Sequence, residues 1–167
     1  MSSARAGSDR TLVLLRHAKS DWSGGEADLT RPLAKRGRRQ APEAGRWLSD
    51  NIAGIDLAVV SPAARARSTW ELVSAELEAA PPMRIDDRVY AASAPALLAV
   101  TRDLPDDLGT VVLVGHNPGV EDLVARLTGE RVQMLTSAVA VIVLPAPWVT
   151  AGDGPATLSA CGRPPVA

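Results

Sequence analysis

The chain has 167 residues and a mass of 17.5 kDa, the size of one domain. Hydrophobic residues make up 46% and charged residues 22%, a globular balance that excludes disorder and coiled coil. With 18 Lys and Arg against 19 Asp and Glu, the net charge of −1 excludes holding nucleic acid or an anionic membrane by bulk charge, so neither is an expected partner.

The first predicted element is a strand over 11–15, near-continuously apolar as a strand buried on both faces should be. A helix is predicted over 34–50, with Gly37 and Pro42 as interruptions and a kink between them. A second buried strand follows over 56–60. The helix at 62–79 opens with Ser61 as a capping residue and Pro62 in the first turn. After a helix over 94–103 comes a third strand at 110–114. The helix at 118–128 repeats the Ser-Pro arrangement as Asn117-Pro118, with Glu121 and Asp122 complementing its dipole. Residues 137–144 form a fourth buried strand, 145–154 a turn-rich connection, and 156–160 a weak edge strand. Strands alternating with helices predict an α/β fold with a mainly parallel sheet. One domain over 10–160 is expected, with 1–9 and 161–167 as flexible tails.

Four Trp, one Tyr and no Phe leave the core to Leu, Val, Ile and Ala and exclude base-stacking platforms. The single Cys161 can form neither an internal disulfide nor a thiolate metal cluster. No apolar run reaches the roughly 18 residues of a membrane helix, and the first ten residues lack the apolar stretch of a signal peptide. A cytoplasmic protein is the expectation.

The chain holds two histidines, and their contexts match. The first strand ends in Arg16-His17 and the third in Gly115-His116. Ligand sites in open α/β sheets lie beyond the carboxyl ends of the strands, so both histidines can converge on one crevice. The second strand runs into Arg65, in the first turn of the next helix. An arginine fork binds phosphate oxygens bidentately, and helix N-termini add anion-binding N–H groups. Arg67, Arg38 and Arg39 read as surface charges. Two histidines with two arginines make an anion site rather than a cation site, so no metal and no cofactor are expected. A neutral imidazole with one nitrogen fixed as donor is a nucleophile toward phosphorus. The arginines neutralise the phosphoryl oxygens, and a protonated second histidine stabilises the equatorial charge.

The residues at 14–18, Leu-Leu-Arg-His-Ala, resemble the Arg-His-Gly signature of the histidine phosphatase superfamily, the phosphoglycerate mutase-like family. Residues 33–41 (LAKRGRRQA) resemble its L-T-x-x-G-x-x-Q-A helix, and 61–69 its S-x-x-x-R-A-x-x-T element. Residues 114–117 resemble its second-histidine motif. The short length, RHAKS followed by Trp22, and the DLTRPL stretch from Asp28 look most like the SixA-type phosphohistidine phosphatase branch. The resemblance covers about residues 11–145 and implies a three-layer α/β/α domain. It implies His17 as nucleophile, with Arg16, Arg65 and His116 completing a phosphate pocket. Ser20 matches a pocket Ser or Thr, and Lys19 and Asn117 stand at its rim. Two departures are Ala18 in place of Gly, requiring negative φ or mild strain, and Ala34 in place of the capping Thr.

A proton donor for an ester leaving group is not evident. Asp87 and Asp86, ahead of Val89-Tyr90, and Asp21 are the candidates. Only 50 residues separate Arg65 from His116, little material for a lid, which favours a phosphorylated protein over an enclosed metabolite. The leading expectation is a metal-independent phosphatase acting on phosphohistidine in proteins through a phosphorylated His17. The rivals are a broad or metabolite-directed phosphomonoesterase, which takes a small phosphoester and needs a working carboxylate, and a non-catalytic phospho-ligand binding module. Oligomeric state is not legible.

Overall fold

A computed structural model describes residues 9–167; the expected lead-in lies outside the described residues but for Asp9. Seven strands, β1 (Arg10–Arg16), β2 (Leu57–Val60), β3 (Met83–Ile85), β4 (Thr110–Gly115), β5 (Val139–Leu144), β6 (Thr157–Gly162) and β7 (Pro165–Val166), form one sheet in the order β3-β2-β4-β1-β5-β6-β7. Pairing is parallel from β3 to β1 and antiparallel from β1 onward. Strand β6, antiparallel to an antiparallel strand, again runs with β1, so only β5 and β7 oppose the common direction.

The strand side chains alternate between two cores, as the two-residue period demands. Leu12, Leu14, Val111 and Leu113 face one core with Leu97, Leu123 and the fully buried Trp148. Val13, Leu15, Val112 and Val114 face the other with Leu48, Val73 and Trp70. Helices α1 (Lys35–Asn51) and α2 (Ala64–Ser74) pack together on the second core, and α3 (Ala94–Arg102) and α4 (Gly119–Thr128) on the first. The result is the three-layer α/β/α domain. None of the described helices is long and apolar enough to cross a membrane.

Register sets the site. Arg16 pairs with Gly115, and Val60 with Val114, so His17, Ser61 and His116 follow at adjacent strand ends. The His17 and Ser61 N–H groups close the sheet onto the Gly115 and Val114 carbonyls at 3.1 Å each.

Several elements depart from the sequence reading. Helix α1 runs as one helix through Gly37 and Pro42. Ser61 and Asn117 are not the N-caps: α2 starts at Ala64 and α4 at Gly119, neither with a side-chain cap; Ser61 Oγ accepts the Ala63 N–H and also meets His116, while Asn117 bonds the Met134 carbonyl. The edge strand β3 was not foreseen, since its three residues are partly exposed and include Arg84. Residues 161–167 are not a loose tail. Gly162, at φ +143°, turns the chain so that Cys161 pairs with Val166, and Arg163 donates to the Thr136 carbonyl at 2.9 Å.

Candidate active site

The nucleophile candidate sits one residue past β1. His17 is 8% exposed, and its Nδ1 lies 2.8 Å from the Ala18 carbonyl. A carbonyl accepts only, so Nδ1 carries the hydrogen and Nε2 keeps its lone pair. Burial, and then the nearby His116, Arg65 and Arg16, push His17 down to about 3. The ring is therefore neutral at pH 7, as a nucleophile requires.

The loop behind it is held from two helices. The Ala18 N–H donates to Thr69 Oγ1 at 2.9 Å, and that hydroxyl donates to the Arg65 carbonyl at 2.7 Å. Ala18 keeps a negative φ, so the departure from Gly needs no left-handed backbone. From α1, Gln40 Oε1 accepts the Lys19 N–H at 3.0 Å, while the Lys19 carbonyl accepts from Ala34 N–H at 2.9 Å. Ala34 indeed supplies no side-chain cap.

His116 follows β4, its ring centroid 5.1 Å from that of His17. Its Nε2 lies 2.7 Å from Ser61 Oγ, which already accepts the Ala63 N–H at 3.2 Å. The Ser61 hydroxyl proton has no other acceptor among the described residues, which directs it to Nε2 and assigns the N–H to His116 Nδ1. Burial, then Arg65, push His116 down to about 4, against the opposing pull of Asp28. The second histidine is thus neutral in the free site.

Arg16, His17, Lys19, Ser20, Trp22, Arg31, Arg65, His116, Asn117 and Thr136 line a cavity of about 220 Å³. Arg16 donates one terminal nitrogen to the Met134 carbonyl at 3.0 Å. Arg65 donates both of its own to Asp28, at 2.7 Å to the carbonyl and 3.1 Å to Oδ2. What is left over points to the ligand: Arg16 Nε, Arg65 Nε and His116 Nδ1 are all buried without a partner among the described residues. Three orphaned N–H donors beside a neutral imidazole demand an acceptor-rich anion. The adjacent fixed positive charge opposes a cation.

The structure brings together every core and rim residue proposed from the sequence. Ser20 accepts from Arg31 Nε at 3.2 Å, and Lys19 is exposed at the rim. Asn117 spends its amide nitrogen on Glu121 (2.9 Å) and the Met134 carbonyl (3.0 Å), leaving only an acceptor oxygen, unsuited to a phosphate dianion. The proposed acids are elsewhere. Asp21 accepts from Ser23, and Asp86 is held by Arg88 at 2.8 Å; these bonds keep both carboxyls below their ordinary values. Asp87 is exposed, and none of the three lines the cavity.

Sequence reasoning gave no role to Arg31, Asp28, Tyr90 or Thr136. The Asp28 carboxylate, in a 3-10 turn (Asp28–Thr30), accepts from Tyr90 Oη at 2.5 Å, Arg31 at 2.7 Å and Arg65. Those bonds, Tyr90 foremost, hold it well below the usual carboxylate range. Arg31 also stacks 3.6 Å over the Trp22 ring. The D-x-x-R spacing was the available signal; Thr136 carries none.

Comparison with known proteins agrees with this geometry. The profile of the histidine phosphatase superfamily (branch 1) matches residues 12–92. An uncharacterized protein of Mycobacterium tuberculosis is 35% identical over 155 residues, 86% of this chain and 96% of the relative. A structure assigned to phosphohistidine phosphatase SixA from Nakamurella multipartitia superposes with a TM-score of 0.82 at 29% identity, covering 97% of this chain and 99% of that one. Protein histidine phosphatase SixA complexed with tungstate gives 0.78 at 25% identity, over 90% and 95%. The chain belongs to the histidine phosphatase superfamily, among its SixA-type phosphatases.

Proposed function

We propose that this phosphatase hydrolyses phosphohistidine in proteins, without a metal, through a covalent phosphohistidine on His17. The observation that carries the reading is the lone pair on His17 Nε2 beside three buried donors with no partner. The tungstate held by a SixA relative, a tetrahedral oxyanion like phosphate, supports the same use of this fold.

In the first step His17 Nε2 attacks phosphorus, and the bond from phosphorus to the substrate imidazole breaks. That imidazole, protonated by solvent on its other ring nitrogen, leaves with the bonding pair as the neutral ring. Arg16, Arg65 and His116 N–H donate to the phosphoryl oxygens as charge shifts among them. The incoming dianion favours protonation of His116, which then acts as a cationic donor. In the second step water attacks phosphorus, the bond to Nε2 breaks, the proton released by the water passes to solvent, and phosphate departs with the water oxygen. An imidazole is a good leaving group, so the reaction needs no carboxylic acid in the cavity. An alkyl phosphomonoesterase does, and Asp21, Asp86 and Asp87 all lie away from it.

The test compares kcat/KM for a phosphohistidine protein and an aryl phosphomonoester, with His17→Ala as control and with a chelator present. A large preference for phosphohistidine, lost in the variant and indifferent to the chelator, is expected. Equal or reversed rates would return the enzyme to general phosphomonoester hydrolysis. Phosphate binding without turnover would make it a binding module.

A further inference from the structure

The first turns of α1 carry Lys35, Arg36, Arg38 and Arg39, all exposed. Among the described residues none of their side chains makes an ion pair or a hydrogen bond, and Glu43, the next acidic residue on the helix, pairs with none of them. This arrangement opposes local physics. The N-terminus of a helix is its positive end, where cations are disfavoured. No acidic residue occupies the first turn, and Ala34 supplies no cap. Lys35 also stands three and four residues from Arg38 and Arg39, where like charges repel. Departures from such local rules are expected at functional or strained sites.

The position of the patch says which function. The start of α1 is fastened to Lys19 by the Ala34 and Gln40 hydrogen bonds, and Lys19 lines the cavity with Arg31. The basic turns of α1 therefore begin beside the loop that carries Lys19 to the cavity. The whole chain carries only −1, so this is a local concentration.

We propose that Lys35, Arg36, Arg38 and Arg39, continuous with Lys19, dock an acidic surface of the phosphorylated protein beside its phosphohistidine. This rests on the reading of the substrate above. A limited acidic protein surface fits better than nucleic acid, whose uniform charge would extend past the patch onto a chain of pI ≈ 6.1. The aromatic residue at the cavity, Trp22, already has Arg31 stacked on it. Such charge complementarity steers encounter and weakens with salt.

The test uses peptides carrying a stable phosphoryl-triazole mimic of phosphohistidine, flanked either by Glu or by Gln. Their binding is measured at low and near-molar salt to the wild type and to a Lys35→Gln, Arg36→Gln, Arg38→Gln, Arg39→Gln variant. Glutamine is a good helix former, so the variant keeps α1. The acidic peptide should bind about tenfold more tightly at low salt. That preference should vanish at high salt and in the variant, with aryl phosphate hydrolysis unchanged in both proteins. Equal binding of both peptides, or a preference that survives in the variant, would overturn the inference and leave the proposed function standing. A single-stranded oligonucleotide that displaces the acidic peptide with comparable affinity would also overturn it. Preference for the acidic peptide without phosphohistidine turnover would instead sink the catalytic reading alone. Failure to bind either peptide would remove both.

Discussion

Asp28 holds both terminal nitrogens of Arg65, one through its backbone carbonyl at 2.7 Å and one through its carboxylate at 3.1 Å. The guanidinium is thereby fixed, with its Nε buried and without a partner among the described residues. Two effects oppose each other if the carboxylate is removed. The site becomes more positive, which favours a dianion, but Arg65 and Arg31 lose a shared anchor. A hydrogen bond to a charged group contributes about 1.5–3 kcal/mol, and the Asp28 side chain is 49% exposed, so screening reduces both that bond and the field effect. Positioning wins, because the fork must meet the phosphate in a set plane. Asp28→Asn should lower kcat/KM about tenfold, with Tyr90→Phe a smaller step in the same direction. Steady-state kinetics decide: a rise in kcat/KM would make Asp28 a competitor of the substrate rather than an anchor.

The pH behaviour follows from the two buried rings. His17 lies near 3 and His116 near 4 in the fold, both lowered mainly by burial from an ordinary 6.5. The pH profile of kcat/KM should therefore show no histidine break near 6.5, with its acid limb below about 5. Stability carries the opposite face of the same shift. Between about 4 and 6.5 the unfolded chain binds protons that the folded histidines refuse, so stability rises with pH across that window and is level above it. Thermal unfolding at a series of pH values checks this, and His116→Asn should flatten the slope. A melting temperature that is flat from pH 4 to 7 in the wild type would contradict both shifts.

The parts of the site that could be read from sequence are those whose chemistry is local. His17 and His116 end apolar strands, and Arg65 opens a helix, so strand topology alone sends them to one edge. That these residues share one cavity was legible for that reason. Side-chain partners across segments were not. Nothing in the sequence ties Tyr90 to Asp28, 62 residues away, or Ser61 to His116, 55 away. Ser61 and Asn117 resemble helix caps because Ser-Pro and Asn-Pro are capping patterns; the site engages both side chains, and Ser61 keeps only the Ala63 N–H. The acids were misplaced because Asp86 and Asp87 precede a tyrosine that does reach the site, while they turn outward to Arg88 and solvent. The C-terminal residues were misread because Gly and Pro signal loops, and here they make the turn between β6 and β7.

Thr69 is fully buried and joins two functional segments through one hydroxyl. Thr69→Val keeps the shape and removes the oxygen, so no cavity opens. The Ala18 N–H is then buried without an acceptor, which costs about 1–3 kcal/mol. Denaturant unfolding should show that loss of stability. Turnover should fall as well, because Ala18 also supplies the carbonyl that fixes the His17 tautomer. Unchanged stability with normal turnover would show that water or a shifted backbone satisfies the N–H.

Gly37 sets two helix rules against each other. In an exposed helix interior, Gly→Ala is favourable by about 1 kcal/mol through propensity. At Gly37 an added Cβ would sit 2.2 Å from the Lys19 carbonyl oxygen and 2.9 Å from its nitrogen, both backbone atoms that cannot swing aside. Helix α1 would have to lift from the loop that follows His17, straining the Ala34 and Gln40 bonds to Lys19. Overpacking of this kind costs about 1–3 kcal/mol, more than the propensity returns. Gly37→Ala should therefore destabilise the protein and lower kcat, since the loop it displaces carries His17 and Ser20. The exposed Gly54 is no control because its φ is +66°. Ser49→Ala, on an exposed turn of the same helix, is one: it should leave stability within about 0.5 kcal/mol of wild type. If Gly37→Ala proves as stable as the wild type, α1 is not clamped to the loop after His17, and the motif glycine serves some other end.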